Sequence, residues 1–223
     1  MGIRSQNNPI AAYLDVFSAT GKDAVTPEPP PKSGHIATGG VISDYTTGSG
    51  DVYRAHIFTS AGTFSISNIG DYGSTVDVLL VAGGGGGGGS GGGGGAGGFH
   101  QSPGQPVSAT SYSVVIGSGG AGGSAGSNRG GLTPPTSATN GGNTTAFSLT
   151  TYGGGRGGKE APDGADRGGA AGGSGGGASG TPDASSVGGG AGTNYPGPTQ
   201  QGYPGGGSGS GPSGGGGGGA RVG

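Results

Sequence analysis

Apolar positions recur along this chain at two spacings. Ile10, Tyr13, Leu14 and Phe17 stand three, one and three residues apart within IAAYLDVFSA (10–19), the stripe of one helix face, and Pro9 suits the first turn. A helix of about ten residues is marginal in water on its own. It is either a frayed terminus or local cap, or a docking peptide that orders on a partner. Residues 26–31 (TPEPPP) follow as a semi-rigid polyproline II spacer.

From residue 40 the spacing changes to two. VYRAHIF (52–58) and TFSIS (63–67) both alternate, and Ser60-Ala61-Gly62 between them supplies a turn, so 52–67 is expected to form a hairpin. TVDVLLV (75–81) predicts a third strand, buried on both faces at its end. SYSVVI (111–116) and TAFSLT (145–150) predict two more. Five short strands suffice for a small β-sheet or sandwich with a modest core.

Glycine then changes the picture. It supplies 67 of 223 residues, against a usual share of about 7%. Ten glycines lie in residues 1–80 and the other 57 in residues 81–223, which places the main boundary of the chain near residue 82. Residues 83–98 hold 14 Gly in 16, and further tracts run through 117–131, 153–192 and 202–219. Collagen is excluded, because the runs of seven and five Gly have no Gly-X-Y register. Two readings remain: a flexible linker, and a bundle of polyglycine helices in the polyproline II geometry, with three residues per turn and a rise of about 3.1 Å.

Ordering each residue costs about 1–2 kcal/mol of backbone entropy, and Gly stands highest. An isolated polyglycine helix has no internal hydrogen bonds to offset that. Packed side by side, such helices donate N–H groups to neighbouring carbonyls, at separations that only a residue without Cβ permits. The tracts recur and alternate with punctuated loops (103–106, 128–135, 159–167, 181–187 and 195–203), the layout of a bundle folded back on itself. The expected fold is therefore mainly β with a polyglycine II bundle, a small sheet or sandwich preceding and interleaved with it. The expected division is 1–33 as docking peptide and spacer, 34–82 as the start of the β-domain, and 83–223 as the bundle.

The remaining chemistry is sparse. Charged residues are 9% of the chain and the net charge is −2, so a basic nucleic-acid domain is disfavoured. Chance G-x-G-x-x-G matches carry no weight in so much glycine. GGGRGGKE (153–160) ends in Glu where a phosphate loop needs a hydroxyl. His35, His56 and His100 lack a second ligand at metal spacing, so no metal or cofactor is expected, and no catalytic constellation stands out. Arg-Gly-Gly occurs at Arg129, Arg156 and Arg167, but Glu160, Asp163 and Asp166 neutralise the neighbourhood. Phe99, His100, Tyr195 and Tyr203 are aromatics isolated among Gly and Pro. They either cap tract ends or, with Arg129, offer contact area to a ligand. There is no Cys, residues 1–10 lack the apolar run of a secretory leader, and no apolar stretch approaches the roughly 20 residues of a membrane span. Synthesis in a cytoplasm without membrane insertion is the expectation.

Three segments together, VYRAHIFTSAGTFSIS (52–67), VDVLLVAGGGGGGG (76–89) and SYSVVIGSGGAGG (111–123), resemble the glycine-rich domain of bacteriophage tail and fibre proteins, especially virion proteins of cyanobacterial phages. IRSQNNPIAAYLDVFS (3–18) is similar to the amino-terminal segment of some of them. The resemblance implies a non-enzymatic structural virion protein, a tail-fibre or adhesin component expected as a homo-oligomer or in several copies. Its end loops would meet a host receptor, a glycan or outer-membrane protein, with Phe99, His100, Arg129, Tyr195 and Tyr203 as contact candidates. Ile10, Tyr13, Leu14 and Phe17 would dock it to other virion proteins. Many members end in an apolar strand where this chain has Ala220-Arg221-Val222-Gly223, and a neighbouring subunit could supply the missing edge pairing. Other readings are a decoration protein without receptor role, an ice-binding bundle (though regular Gly-x-x repeats are absent), and an exported wall or matrix protein.

Overall fold

A computed structural model describes residues 31–89, 91–124, 136–160, 166–180, 187–192, 200–209 and 214–221. The chain divides into Met1–Ser33 and Gly34–Gly223, and the architecture below belongs to the second unit. The helix expected at 10–19 and the spacer at 26–30 lie outside the described residues.

Among the described residues nine short strands precede or interrupt the glycine: β1 (Ile36–Thr38), β2 (Val41–Thr46), β3 (Val52–Ile57), β4 (Gly62–Asn68), β5 (Thr75–Val81), β6 (Phe99–Pro106), β7 (Ser111–Val114), β8 (Thr144–Ala146) and β9 (Leu149–Thr151). All pairings between them are antiparallel: β1-β4-β7, β2-β3, β5-β6 and β8-β9. Their inward residues Phe64, Ile66, Val78, Leu80, Val114 and Ala146, joined by Val107 just after β6, form one small core. Phe147 adds edge and tilted ring contacts with Phe64 and Tyr112.

Four expectations change here. Residues 52–67 are not a hairpin, because β3 pairs with β2 while β4 pairs with β1 and β7. The decisive turn is 47–51, closed by the Thr47 N–H to Asp51 carbonyl bond at 2.9 Å. The strand expected at 145–150 is two strands, reversed at Phe147 and Ser148 with φ of 52° and 63°, the left-handed pair that a two-residue hairpin needs. β5 is not buried on both faces at its end: Leu79 is 58% and Val81 54% exposed, while Val78 and Leu80 face the core. Residues 103–106, expected as a loop, belong to β6.

The strands run directly into the glycine. Val81 pairs with Phe99, and the ladder continues as Ala82 N–H to Gly98, Gly85 to Gly95 and Gly88 to Gly92. At Ala82 the hydrogen-bonding step thus changes from two residues to three. The same step recurs throughout. Gly83 and Gly86 donate to Gly142 and Thr139, while Gly154 and Gly157 donate to Gly83 and Gly86.

These bonds arrange the tracts in three layers. Segments 117–124, 83–89, 91–98 and 214–221 form one; 136–142, 153–160, 173–180 and 200–208 the next; 166–172 and 187–192 the third. Successive segments along the chain alternate in direction. Segment 173–180 is the centre, and its N–H groups point three ways in turn. Those of Gly175 and Ala178 donate to 200–208, those of Gly176 and Ser179 to 166–172, and that of Gly177 to Gly93. Its carbonyls accept from 153–160, 187–192 and 214–221. All eight residues are buried. A Cβ at Gly177 would enter the Gly215 carbonyl, and one at Gly158 the Arg167 carbonyl. The backbone is the core here, which is why 27% apolar residues suffice.

Candidate functional site

The alternation of direction gives the bundle two unlike ends. At one, tracts run into β6, β8 and their partners. At the other, the chain leaves a tract at 89, 124, 160, 180 and 209 and re-enters the next at 91, 136, 166, 187 and 214. Ser124 and Thr136 meet through paired backbone and hydroxyl bonds, and the Lys159 N–H donates to the Asp166 carbonyl at 3.0 Å, so the tract ends that flank these two crossings are tied to each other.

Charge gathers towards this far end. Asp166, at φ 59°, accepts from Arg156 Nη2 at 2.8 Å and Ser137 Oγ at 3.1 Å, with Lys159 Nζ at 3.7 Å. It ties three segments together. The Ser137 hydroxyl, then the Arg156 and Lys159 charges, hold the Asp166 carboxyl below the usual carboxylate range. Arg156 therefore serves an ion pair within the bundle. On the strand side, Asp44 and Arg54 form a bidentate pair across β2 and β3 at 2.8 and 2.9 Å, and Arg54 lowers the Asp44 pKa. Among the described residues no group of three or more His, Asp or Glu could hold a metal ion.

The expected contact residues are not gathered at one surface. Phe99 and His100 open β6 opposite Val81 and Leu80; Phe99 is half-buried and His100 only 8% exposed. Tyr203 is 48% exposed, with the Arg221 guanidinium 5.7 Å from its ring centre. All three lie at the strand end. Arg129 and Tyr195 lie outside the described residues, as do Ile10, Tyr13, Leu14 and Phe17. Residues 124 and 136, which flank the segment with Arg129, lie at the far end, and residues 192 and 200, which flank that with Tyr195, lie at the strand end.

Several side chains that organise this scaffold are polar and carry a spacing signal. Thr136 and Thr139 accept from Ser124 and Ala121 N–H groups, while Asn140 and Asn143 accept from Arg156 and Gly153. Each pair stands three residues apart. T-S-A-T-N-G-G-N (136–143) thus advertises the tract period in its hydroxyl and amide residues.

A family model described as a glycine-rich domain matches residues 59–223, from the turn after β3 to the end of the chain. The chain belongs to this glycine-rich domain family. No curated protein and no solved structure matches it. The glycine-rich domain so delimited contains every tract and strands β4 to β9, while β1, β2 and β3 precede it. Within it the geometry is a rigid, backbone-held frame whose two ends carry different chemistry: a small apolar core at one and charged crossings at the other.

Proposed function

We propose that the chain is a non-enzymatic structural protein of a bacteriophage virion, a tail-fibre or adhesin component. In this reading the tracts are packed polyglycine II helices, and the loops at the far end bind a host-surface glycan or outer-membrane protein. The observation that carries it is the alternation of tract direction, which returns the chain to that end at five places remote from the strands. The three-residue step between partners fits the threefold polyglycine helix. The resemblance of 52–67, 76–89 and 111–123 to phage glycine-rich domains supports the virion context. Loops on a frame that does not depend on their side chains are free to vary, as receptor-binding loops must. Residues 1–33 dock the protein to the particle, and several copies make weak loop contacts effective through avidity.

The test is proteomics of purified particles of the encoding phage, with competition of host adsorption by the purified full chain. Expected is a particle protein that reduces adsorption, and a variant with 125–135 and 181–186 replaced by short Gly-Ser links that folds but no longer competes. Deleting residues 1–33 abolishes incorporation. A particle protein that never competes is a decoration protein, and the receptor role falls. Absence from particles overturns the virion assignment.

A further inference from the structure

One layer of the bundle has an outer side with no counterpart among the described residues. On this layer the N–H groups of Gly94, Gly97 and Gly217 find no acceptor among the described residues, and neither do those of six further glycines, Gly84, Gly87, Gly119, Gly122, Gly216 and Gly219. The carbonyls of Gly85, Gly88 and Gly217 likewise meet no described donor. These six glycines also differ sterically from their neighbours. A Cβ on Gly83, Gly85, Gly86 or Gly88 would enter a carbonyl group of the adjacent tract. On Gly216 or Gly219 it would meet nothing within 4 Å, and on the other four nothing nearer than 3.5 Å. No contact inside the chain requires glycine there, yet any larger residue would lower the entropy cost of folding. The layer is also poor in side chains: Ala96 adds a methyl, while Ser118, Ala121, Ser124, Ala220 and Arg221 sit on its two marginal segments, and Arg221 is tied to Gln200.

We infer that this layer is a self-association face, on which a second copy of the chain lays the same layer. The layer carries both open donors and open acceptors, so two copies of it can satisfy each other, as an isologous contact requires. Open N–H groups recur every three residues, about 9.3 Å along a tract. A β-strand, at about 3.3 Å per residue and alternating in direction, drifts out of step with that spacing. Another glycine tract keeps step, and a second copy is the ready source of four side by side. The inference rests on the polyglycine reading of the tracts and not on the virion role. Four tracts about 4.8 Å apart and about 22 Å long cover roughly 400 Å² per partner, half a standard interface, so the dimer is weak and concentration-dependent.

The experiment is sedimentation velocity on the full chain over a wide concentration range, with Gly87→Ala/Gly119→Ala/Gly216→Ala/Gly219→Ala and, as a control on the third layer, Gly188→Ala, where a Cβ also meets nothing. The wild type and the control should move towards the dimer value with rising concentration. The quadruple variant should associate at least about tenfold more weakly while keeping its thermal midpoint. Amide exchange at Gly84, Gly87, Gly216 and Gly219 should slow with concentration in the wild type, a readout that does not need the variant to fold. A wild type that stays monomeric with unchanged exchange overturns the inference, as does a folded quadruple variant that associates normally. Thermal hysteresis from a monomeric wild type would overturn it in favour of ice as the occupant. Exchange without a three-residue period in dilute solution would remove the polyglycine reading itself, leaving the virion role to its own test.

Discussion

The side-chain Oε1 of Gln201 accepts the backbone N–H of Tyr152 at 2.9 Å, and its Nε2 donates to the Thr150 carbonyl at 2.9 Å. One fully buried amide thus bonds to the end of β9 as a peptide group of a neighbouring strand would. Its own carbonyl accepts from Phe99 and Arg221, so a single residue joins β6, β9 and the last two tracts. Gln201→Leu leaves the part-buried Tyr152 N–H and Thr150 carbonyl without their side-chain partners. The expected loss is on the order of 2–4 kcal/mol in urea denaturation, from about 1–3 kcal/mol per orphaned group. Gln200→Ala, which removes the side-chain bonds to Arg221 and the Gly202 carbonyl at the surface, should cost under about 1 kcal/mol.

Glycine is required position by position. Gly177→Ala drives a methyl into the Gly215 carbonyl within the fully surrounded segment 173–180. Rigid backbone on all sides cannot yield as side chains do, so the loss should exceed the about 1–3 kcal/mol typical of overpacking. Gly188→Ala should be neutral or gain up to about 1 kcal/mol. Equal effects at the two sites, measured by thermal melts, would contradict the backbone core.

Amide exchange in dilute solution should carry the period of the lattice. Gly85, Gly86 and Gly88 donate to neighbouring tracts and should exchange slowly, whereas Gly84 and Gly87 should exchange fast. Uniformly fast exchange through 83–89 would mean that the tract is a linker in solution.

Acid should loosen the Asp166 cluster at the far end. The Asp166 carboxyl titrates lower in the folded protein than in the unfolded chain, where it has the ordinary value of 3.8. Its contribution is complete above that value and disappears as pH falls below it through the depressed folded pKa. Asp166→Asn should flatten this acid limb without changing the melting curve above about pH 6 beyond the small effect of an exposed pair. Stability measured from about pH 2 to 7 on both proteins checks this, and identical acid limbs would show that the cluster adds nothing.

Much of this was legible in local pattern. Alternation in VYRAHI, TVDVLLV and SYSV marks β3, β5 and β7 within a residue or two, because a half-buried strand must alternate. The partners of those strands were not legible. A turn at Ser60-Ala61-Gly62 is real in composition, but β4 finds β1 and β7 because Phe64 and Ile66 must reach the core beside Val114. The reversal at Phe147-Ser148 was hidden because neither residue favours positive φ; packing of Phe147 on Phe64 and Tyr112 offsets that strain. The aromatic candidates were chosen for their isolation in the sequence, which says nothing about which end of the bundle a segment reaches.

Composition alone determined that this chain has too few large side chains for a conventional core, and that its glycine must be either idle or packed backbone to backbone. Tertiary structure decided which glycines are which. A Cβ has no place at Gly177 and ample room at Gly216, although both stand in runs of glycine. That distinction depends on whether another tract lies about 5 Å away in the hydrogen-bonding direction, and a stretch of identical residues carries no mark of it.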